Sequence, residues 1–133
     1  MRTLEEIQSE LDLIDGNLNI IASIANQTRP YAQFDLSTYN AIVPTTAGRI
    51  KTLQQDIIDA VNSVAEYIKG VAVELYVGTR SQPDAKVESS RAGEITQVLT
   101  TYANAVDAQA DRLNAYQAQV IERAKRQGVE VVE

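Results

Sequence analysis

The fold class of this chain is decided by the stretch LEEIQSELDLIDGNLNIIASIA, residues 4–25. Its apolar residues recur at alternating steps of three and four residues, which places them on one face of an α-helix. The row consists of Leu4, Ile7, Leu11, Ile14, Leu18 and Ile21. A helix with such a continuous apolar face buries it against other helices, either of its own chain or of a second copy.

The length and composition limit the classes of protein that remain. A chain of 133 residues is the size of one ordinary domain, so we expect a single helical domain over residues 1–133. The chain contains no Cys, His or Trp. This composition excludes disulfides, Cys and His metal ligands, and every catalytic triad or general base that requires a thiol or an imidazole.

The charge of the chain excludes further classes. The formal net charge is −6, and no stripe of Lys and Arg occurs. We therefore expect neither nucleic-acid binding nor attachment to an anionic membrane, because both depend on a basic surface. No apolar run approaches the roughly 20 residues that span a bilayer, and the acidic start MRTLEEIQSE is unlike a signal peptide. The sequence thus predicts neither a transmembrane segment nor a signal peptide.

The first helix is predicted over residues 4–27. Thr3 and Glu6, three residues apart, have the pattern of a capping box, in which each side chain accepts from the backbone N–H of the other residue. The helix should end before Pro30, because the residue that precedes a proline avoids helical geometry.

An irregular loop is predicted over residues 28–45, where Pro30 and Pro44 interrupt the helical pattern. A connection of this length is usually functional or contains a short helix of its own, for which residues 37–42 are the candidates. The loop carries three aromatic residues, Tyr31, Phe34 and Tyr39. They either fold back over the end of the helices as a cap or bind a protein partner.

The second helix is predicted over residues 46–76, with Thr45 or Thr46 as its N-terminal cap. Its apolar row comprises Ile57, Val61, Val64 and Ile68. The C-terminal end is ambiguous, because residues 71–77 also alternate as a β-strand does, and a short β-hairpin near residues 71–89 is the alternative. We prefer the helix, since the row continues to Leu75, and we expect an exposed loop over residues 77–89.

The third helix, predicted over residues 90–127, is the longest. It carries a row of the same spacing, in which Gln109 is the one polar member. The apolar members are Leu99, Tyr102, Val106, Leu113, Tyr116 and Val120. Arg123 and Arg126 complement the negative end of the helix dipole, and Gly128 is a natural stop.

The helices are predicted to pack as a bundle and not as a parallel dimeric coiled coil. In a parallel homodimer of the first helix, Glu10 would face Asp15 of the second copy, and two acidic side chains repel each other. Small residues such as Ala60 and Ala105 flank the rows of the other two helices and widen their apolar faces. We therefore predict an all-α fold, an elongated bundle of three long helices with coiled-coil-like heptad packing.

The unequal helix lengths predict that the chain associates with itself. At 1.5 Å per residue, the three helices would be roughly 35, 45 and 55 Å long. The apolar overhang of the third helix is covered most simply by another copy of the chain. We therefore expect a homo-oligomer.

No arrangement of residues predicts catalysis or ligand binding. Glu6 and Glu10 share one helix face, but no second pair of metal ligands accompanies them, and we interpret them as part of a solvated face. The sequence has no glycine-rich phosphate-binding motif and no GxSxG motif. We predict no enzyme activity, no cofactor, no metal site and no catalytic residue.

One stretch gives the chain a family resemblance. Residues 100–120, TTYANAVDAQADRLNAYQAQV, form an uninterrupted helical pattern rich in Ala, Gln and Thr, within a short acidic chain that lacks Cys and Trp. In this the chain resembles the small helical structural proteins of tailed-phage virions. The resemblance implies a multi-copy virion subunit, such as a neck, tail, fibre-attachment or capsid-associated element, which binds other structural proteins.

Two hypotheses about function follow. The first is a non-enzymatic structural or assembly protein that forms a homo-oligomer, with residues 28–45 or the C-terminal tail binding another component. The alternative is a helical adaptor or chaperone-like module that binds a partner helix in an exposed groove. A bundle that binds a small ligand would instead need a pocket with convergent polar groups. We expect a location in the virion if the chain is phage-derived, and in the cytoplasm otherwise.

Overall fold

Three α-helices pack against each other in the computed structural model, which describes residues 3–68, 76–77, 80–81 and 89–132. The helices are α1 (Leu4–Ala25), α2 (Gln33–Ile68) and α3 (Ser89–Gln127). The predicted all-α fold is thereby confirmed. Heptad packing of the coiled-coil type stays a prediction.

The described residues form two compact units. The first unit contains Met1–Asp12 and Lys51–Asp107, and the second contains Leu13–Ile50 and Ala108–Glu133. Each of the three helices contributes residues to both units. The expectation of a single domain stays a prediction.

The N-terminus of α1 has the capping box that the sequence predicts. The backbone N–H of Glu6 donates to Oγ1 of Thr3 over 3.1 Å, and the backbone N–H of Thr3 donates to Oε1 of Glu6 over 3.2 Å. Both N–H groups at the helix start thereby gain an acceptor. The helix ends at Ala25, slightly earlier than predicted and ahead of Pro30.

The predicted loop over residues 28–45 is wrong. The second helix, α2, begins at Gln33 and continues through Pro44, so it includes the short helix expected at residues 37–42. Thr45 and Thr46 do not cap this helix. Their hydroxyl groups instead donate to backbone carbonyls one turn earlier in α2, over 3.3 Å and 2.8 Å.

Burial explains why the helix tolerates Pro44. Before and after the proline, one buried row continues at steps of three and four residues. Its members are Leu36, Tyr39, Val43, Thr46, Ile50, Leu53, Ile57, Ala60 and Val64. A proline inside a helix costs about 3 kcal/mol, whereas each large apolar side chain that is fully buried contributes about 1.5–3 kcal/mol. The burial of Leu36, Tyr39 and Val43 together therefore outweighs the cost of the proline.

This buried row differs from the apolar row that the sequence predicts for the second helix. Ile57 and Val64 are buried as predicted, but Val61 is 36% exposed and lies outside the row. From Ile57 the buried row continues by three residues to Ala60 and by four to Val64. The side chain of Ile68 lies outside the described part of the structure.

Most members of the predicted rows of α1 and α3 are buried. They are Ile7, Leu11, Ile14, Leu18 and Ile21 in α1, and Leu99, Val106, Leu113 and Val120 in α3. Residues outside these rows are buried as well, namely Glu10, Ile24 and Ala25 in α1 and Ile95 and Ala124 in α3. Leu4, Tyr102 and Tyr116 are half-buried at the edges of these rows. The spacing of the apolar residues alone predicts which rows of these two helices are buried, since no proline interrupts either row.

Two short segments of extended backbone follow α2 in the chain. Strand β1 (Tyr76–Val77) pairs antiparallel with strand β2 (Arg80–Ser81), and Tyr76 lies opposite Ser81. Tyr76 therefore does not lie in a helix, contrary to the prediction. A pair of this length does not confirm the hairpin predicted near residues 71–89, and residues 69–75 and 82–88 lie outside the described part of the chain.

The end of α3 is closed by the glycine that the sequence predicts. Gly128 has a φ of 70°, and its backbone N–H donates to the carbonyl of Lys125 over 3.2 Å, while Val129 donates to Ala124 over 3.0 Å. This pair of bonds is the Schellman motif, which satisfies carbonyls at the helix end. The tail then returns along α2, where the backbone N–H of Val132 donates to Oδ1 of Asn40 over 2.9 Å.

Candidate interaction surface

In the second unit, α3 holds the turn that connects α1 to α2. The guanidinium of Arg123 donates to the backbone carbonyls of Gln27 and Arg29, and it lies 4.6 Å from the centre of the Tyr31 ring. Carbonyl groups at the end of a helix lack partners within the helix. Arg123 therefore supplies charge-assisted hydrogen bonds to the backbone that leaves α1 and a cation–π contact to the residue that precedes α2.

Two glutamines of α3 extend this contact. Nε2 of Gln119 donates to the backbone carbonyl of Ala25 over 3.2 Å and to Oδ1 of Asn26 over 2.9 Å. Oε1 of Gln127 accepts a hydrogen bond from the backbone N–H of Tyr31 over 3.1 Å. The connection from α1 to α2 is thus bound to α3 at its start and at its end.

Asp35 organises the first turn of α2. Its Oδ2 atom accepts hydrogen bonds from the backbone N–H of Ala32 over 3.0 Å and from Nε2 of Gln27 over 3.2 Å. Its Oδ1 atom accepts from Nη2 of Arg29 over 3.2 Å. The backbone N–H of Ala32 is the largest cause that holds the pKa of this carboxyl below its usual value of 3.8, and burial opposes it.

The three aromatic residues of the predicted partner loop are divided between the core and the surface. Tyr31 and Tyr39 are buried in the second unit, Tyr39 within helix α2 and not in a loop. Phe34, in the first turn of α2, is 79% exposed. Of the three, Phe34 alone is placed to contact a partner.

The hydroxyl groups of Tyr31 and Tyr39 have no hydrogen-bond partner among the residues that the structure describes. Burial, with the neighbouring Tyr31 as a smaller cause, raises the pKa of Tyr39 to about 12. A phenol with this pKa stays neutral at physiological pH and is a poor general base. Tyr39 is therefore a core side chain.

An apolar groove lies between α1 and α2 on the surface of the second unit, and Phe34 divides it. Phe34 lines two adjoining depressions, with volumes of about 680 Å³ and about 420 Å³. The other lining residues are Leu13, Asn17, Asn19, Ile20, Ser23, Ile24, Asp35, Ser37, Thr38, Ala41, Ile42, Thr45 and Arg49. Leu13 is 43% exposed and Ile20 is 45% exposed. We call this surface the Phe34 groove.

The charged residues that line the Phe34 groove lie at its ends. Arg49 lines the larger depression and Asp35 lines the smaller one, and the lining residues between them are apolar or neutral. At 1.5 Å per residue the two are roughly 21 Å apart along α2. An uncharged surface of apolar and neutral polar side chains is typical of a protein-contact surface.

A polar contact joins α1 to α3 at the edge of the core of the second unit. Gln109, the polar member of the α3 row, is buried, and its Nε2 atom donates to Oδ1 of Asp15 over 2.9 Å. The same oxygen accepts from Nη1 of Arg112 over 3.1 Å. Gln109 thus has a specific partner within its own chain, which a polar residue in an apolar row requires.

The first unit has a smaller apolar surface. Ile58 and Val61 of α2 and Val98 of α3 are exposed there. A shallow depression beside Ile58 is bordered by Gln54 and Asp107, whose side chains form a hydrogen bond of 3.0 Å. Each unit therefore has exposed apolar side chains of its own.

The acidic residues do not form a metal site within the described part of the chain. No group of three or more carboxylates there is placed to hold a metal ion. Glu6 is used in the capping box of α1, and Glu10 is buried and not on a solvated face as we expected. Glu6 thus has a role in the start of α1.

Sequence analysis missed two of the residues that organise the second unit. It assigned Arg123 to the helix dipole, because the carbonyl acceptor at Gln27 lies 96 residues earlier in the chain. It missed Asp35 because residues 28–45 were predicted as a loop, although an acidic residue in a first helical turn is a recognised signal. Leu13 and Ile20 lie outside the α1 row. They are seven residues apart and therefore lie on one face of the helix, and this spacing was the signal for a second apolar face.

Comparison with known proteins adds no further identification. No protein family, curated protein or solved structure matches this chain. No helix in the described part has both the length and the apolarity that crossing a bilayer requires.

Proposed function

We propose that the chain is a non-enzymatic structural or assembly protein, a helical subunit present in several copies in a larger complex. The observation that carries the proposal is the exposed apolar surface of each unit, above all the Phe34 groove with Leu13 and Ile20. Contiguous exposed apolar patches are uncommon on monomers and are typical of protein contacts. Two such surfaces allow one chain to contact more than one neighbour.

The polar residues of the second unit support the same proposal. Arg123 and Asp35 bind the turn between α1 and α2, and Gln109 binds Asp15. These side chains are occupied by contacts that hold the helices together. The groove itself offers apolar area and neutral hydrogen-bonding groups, which suit binding of a protein surface better than a reaction.

We further propose that the complex is a tailed-phage virion, in which the chain is a neck, tail, fibre-attachment or capsid-associated element. This part rests on the resemblance of residues 100–120 and of the overall composition. The order of genes around the coding sequence tests it. Flanking capsid and tail genes would support a virion component, and a set of metabolic genes would contradict it.

Sedimentation of the purified full chain over a wide range of concentrations tests the multi-copy proposal. We expect the mass to rise with concentration above the 14.6 kDa of one chain. A mass of one chain at every concentration would contradict the proposal. It would favour the alternative, an adaptor or chaperone-like module whose groove takes a helix of a different protein.

A further inference from the structure

We infer that the Phe34 groove is the surface on which a second copy of this chain docks, with its α2 antiparallel to α2 of the first. The inference rests on the proposed function, since it specifies how copies of the chain contact each other. The partner is thus another copy, bound through the same face of the second unit on both chains.

The first argument is that the groove contains both a protruding side chain and a depression to receive one. Phe34 is 79% exposed, and the depression beside it is bordered by Leu13, Ile42 and Arg49. When both features lie on one face, two copies related by a two-fold axis satisfy each other at once. Phe34 of each copy then fills the depression of the other and lies close to its Arg49, where a cation–π contact becomes available.

The second argument is the placement of charge, which selects the antiparallel orientation. Arg49 lines one end of the groove and Asp35 lines the other. An antiparallel second copy keeps the two Arg49 side chains at opposite ends of the contact, whereas a parallel copy sets them opposite each other. Asp35 is buried and ion-paired with Arg29, so it adds little attraction between copies. The apolar area supplies the affinity, and the separation of the two Arg49 side chains sets the direction.

The third argument concerns the net charge of −6, which makes two copies repel each other over most of their surfaces. The floor of the Phe34 groove is uncharged between Asp35 and Arg49, so contact there avoids setting acid against acid. Ala41 lies near the midpoint of these two residues on α2 and is exposed. A small residue at the two-fold axis lets the two α2 helices approach closely. The two α1–α2 pairs then form a four-helix contact.

Substitution of Phe34 tests whether the groove is the contact. Phe34→Asp should raise the dissociation constant between copies by about 100-fold, because it removes the buried aromatic contact that Phe34 makes on both sides. Ala47→Asp is the matched control, since Ala47 lies in the same helix and unit, is exposed, and does not line the groove. Sedimentation measures the association of the native chain and of both variants. Circular dichroism checks that Phe34→Asp keeps its helix content, as expected for an exposed position.

Cysteine substitution tests the antiparallel orientation. The chain contains no Cys, so a single introduced thiol can pair only with the same residue of another copy. Under mild oxidation Ala41→Cys should form a disulfide-linked dimer, because residues at a two-fold axis lie within the distance that a disulfide bridges. Ala47→Cys, on another face of the same helix, should remain reduced.

The outcomes separate this inference from the proposed function. If the native chain associates and Phe34→Asp associates equally well, the groove contact is wrong and the multi-copy proposal stands. If Phe34→Asp weakens association but Ala41→Cys does not form the disulfide, the antiparallel arrangement is wrong. If the native chain is monomeric at every concentration, both the inference and the multi-copy proposal are wrong. A loss of association in Phe34→Asp alone, together with the Ala41→Cys dimer, supports the inference.

Discussion

Arg123 lies over the ring of Tyr31, with the guanidinium carbon 4.6 Å from the ring centre. The same guanidinium donates to the carbonyls of Gln27 and Arg29, so one side chain of α3 binds both the end of α1 and the approach to α2. Arg123 is therefore a contact of α3 with both sides of the turn between α1 and α2.

We therefore expect Arg123→Ala to lower the free energy of unfolding by about 1.5–3 kcal/mol, the usual contribution of hydrogen bonds to a charged group. Urea denaturation followed by circular dichroism measures the change. Arg126→Ala is the control, since Arg126 is exposed and, among the described residues, pairs with Glu122 one turn away, a contact worth about 0.5 kcal/mol or less. Equal losses in the two variants would show that the contacts of Arg123 with the turn do not stabilise the fold.

Tyr39→Phe should raise the free energy of unfolding by about 1 kcal/mol. The hydroxyl of Tyr39 is buried without a hydrogen-bond partner in the described part of the structure, and removing such a group relieves its cost of desolvation. Tyr116→Phe is the control, because Tyr116 is only half-buried and its substitution should change stability little. A loss of stability in Tyr39→Phe would mean that the hydroxyl has a partner.

The pKa of Tyr39 also predicts how stability depends on pH in the alkaline range. Because burial raises the pKa of Tyr39 to about 12, the folded state favours the neutral phenol over the phenolate. This preference stabilises the folded state. The stabilisation is complete below the unfolded pKa of about 10 and is lost as the pH rises from there toward 12. Thermal unfolding between pH 9 and about 12 should therefore show a steeper decline in the native chain than in Tyr39→Phe. Parallel curves for the two proteins would contradict the assignment.

Asp35 predicts a dependence on pH in the acid range. Its pKa is lowered, chiefly by the backbone N–H of Ala32, so the folded state favours the carboxylate. The stabilisation is complete above the unfolded pKa of about 3.9 and is lost as the pH falls below it through the folded pKa. We expect Asp35→Asn to be less stable than the native chain at pH 7 and to show a smaller decline in melting temperature on acidification. A decline of the same size in both proteins would argue against this role of Asp35.

Pro44 and Pro30 should respond to substitution by alanine with opposite signs. Pro44→Ala should raise the free energy of unfolding by up to about 3 kcal/mol, because it removes a proline from the interior of α2. Pro30→Ala should lower the free energy of unfolding by about 0.4–1 kcal/mol. A proline in a turn whose backbone geometry suits it stabilises a protein by restricting the conformations of the unfolded chain. Chemical denaturation of both variants measures the two changes. A loss of stability in Pro44→Ala would mean that the helix depends on the geometry that the proline imposes.

The error over residues 28–45 has a physical cause. A proline is a local signal, and from the sequence alone Pro44 ends a helix as readily as it interrupts one. Leu36, Tyr39 and Val43 continue the row of Ile50 and Leu53, but this continuity becomes decisive only when the opposing helices bury it. Because residues 28–45 were predicted as a loop, Asp35 was not identified as a residue in the first turn of a helix. For the same reason Phe34, which is exposed, was grouped with two aromatic residues that are buried.

The sequence by itself determined those features that depend on neighbouring residues. The apolar rows of α1 and α3, the capping box of Thr3 and Glu6, and the stop at Gly128 all follow from spacing within one or two helical turns. The tertiary structure alone decided the passage of α2 through Pro44 and the binding of Arg123 to a turn 96 residues away. It also decided that Phe34 is exposed while Tyr31 and Tyr39 are buried. Local preferences are encoded in short segments, whereas burial depends on residues that are distant in the chain and adjacent only after folding.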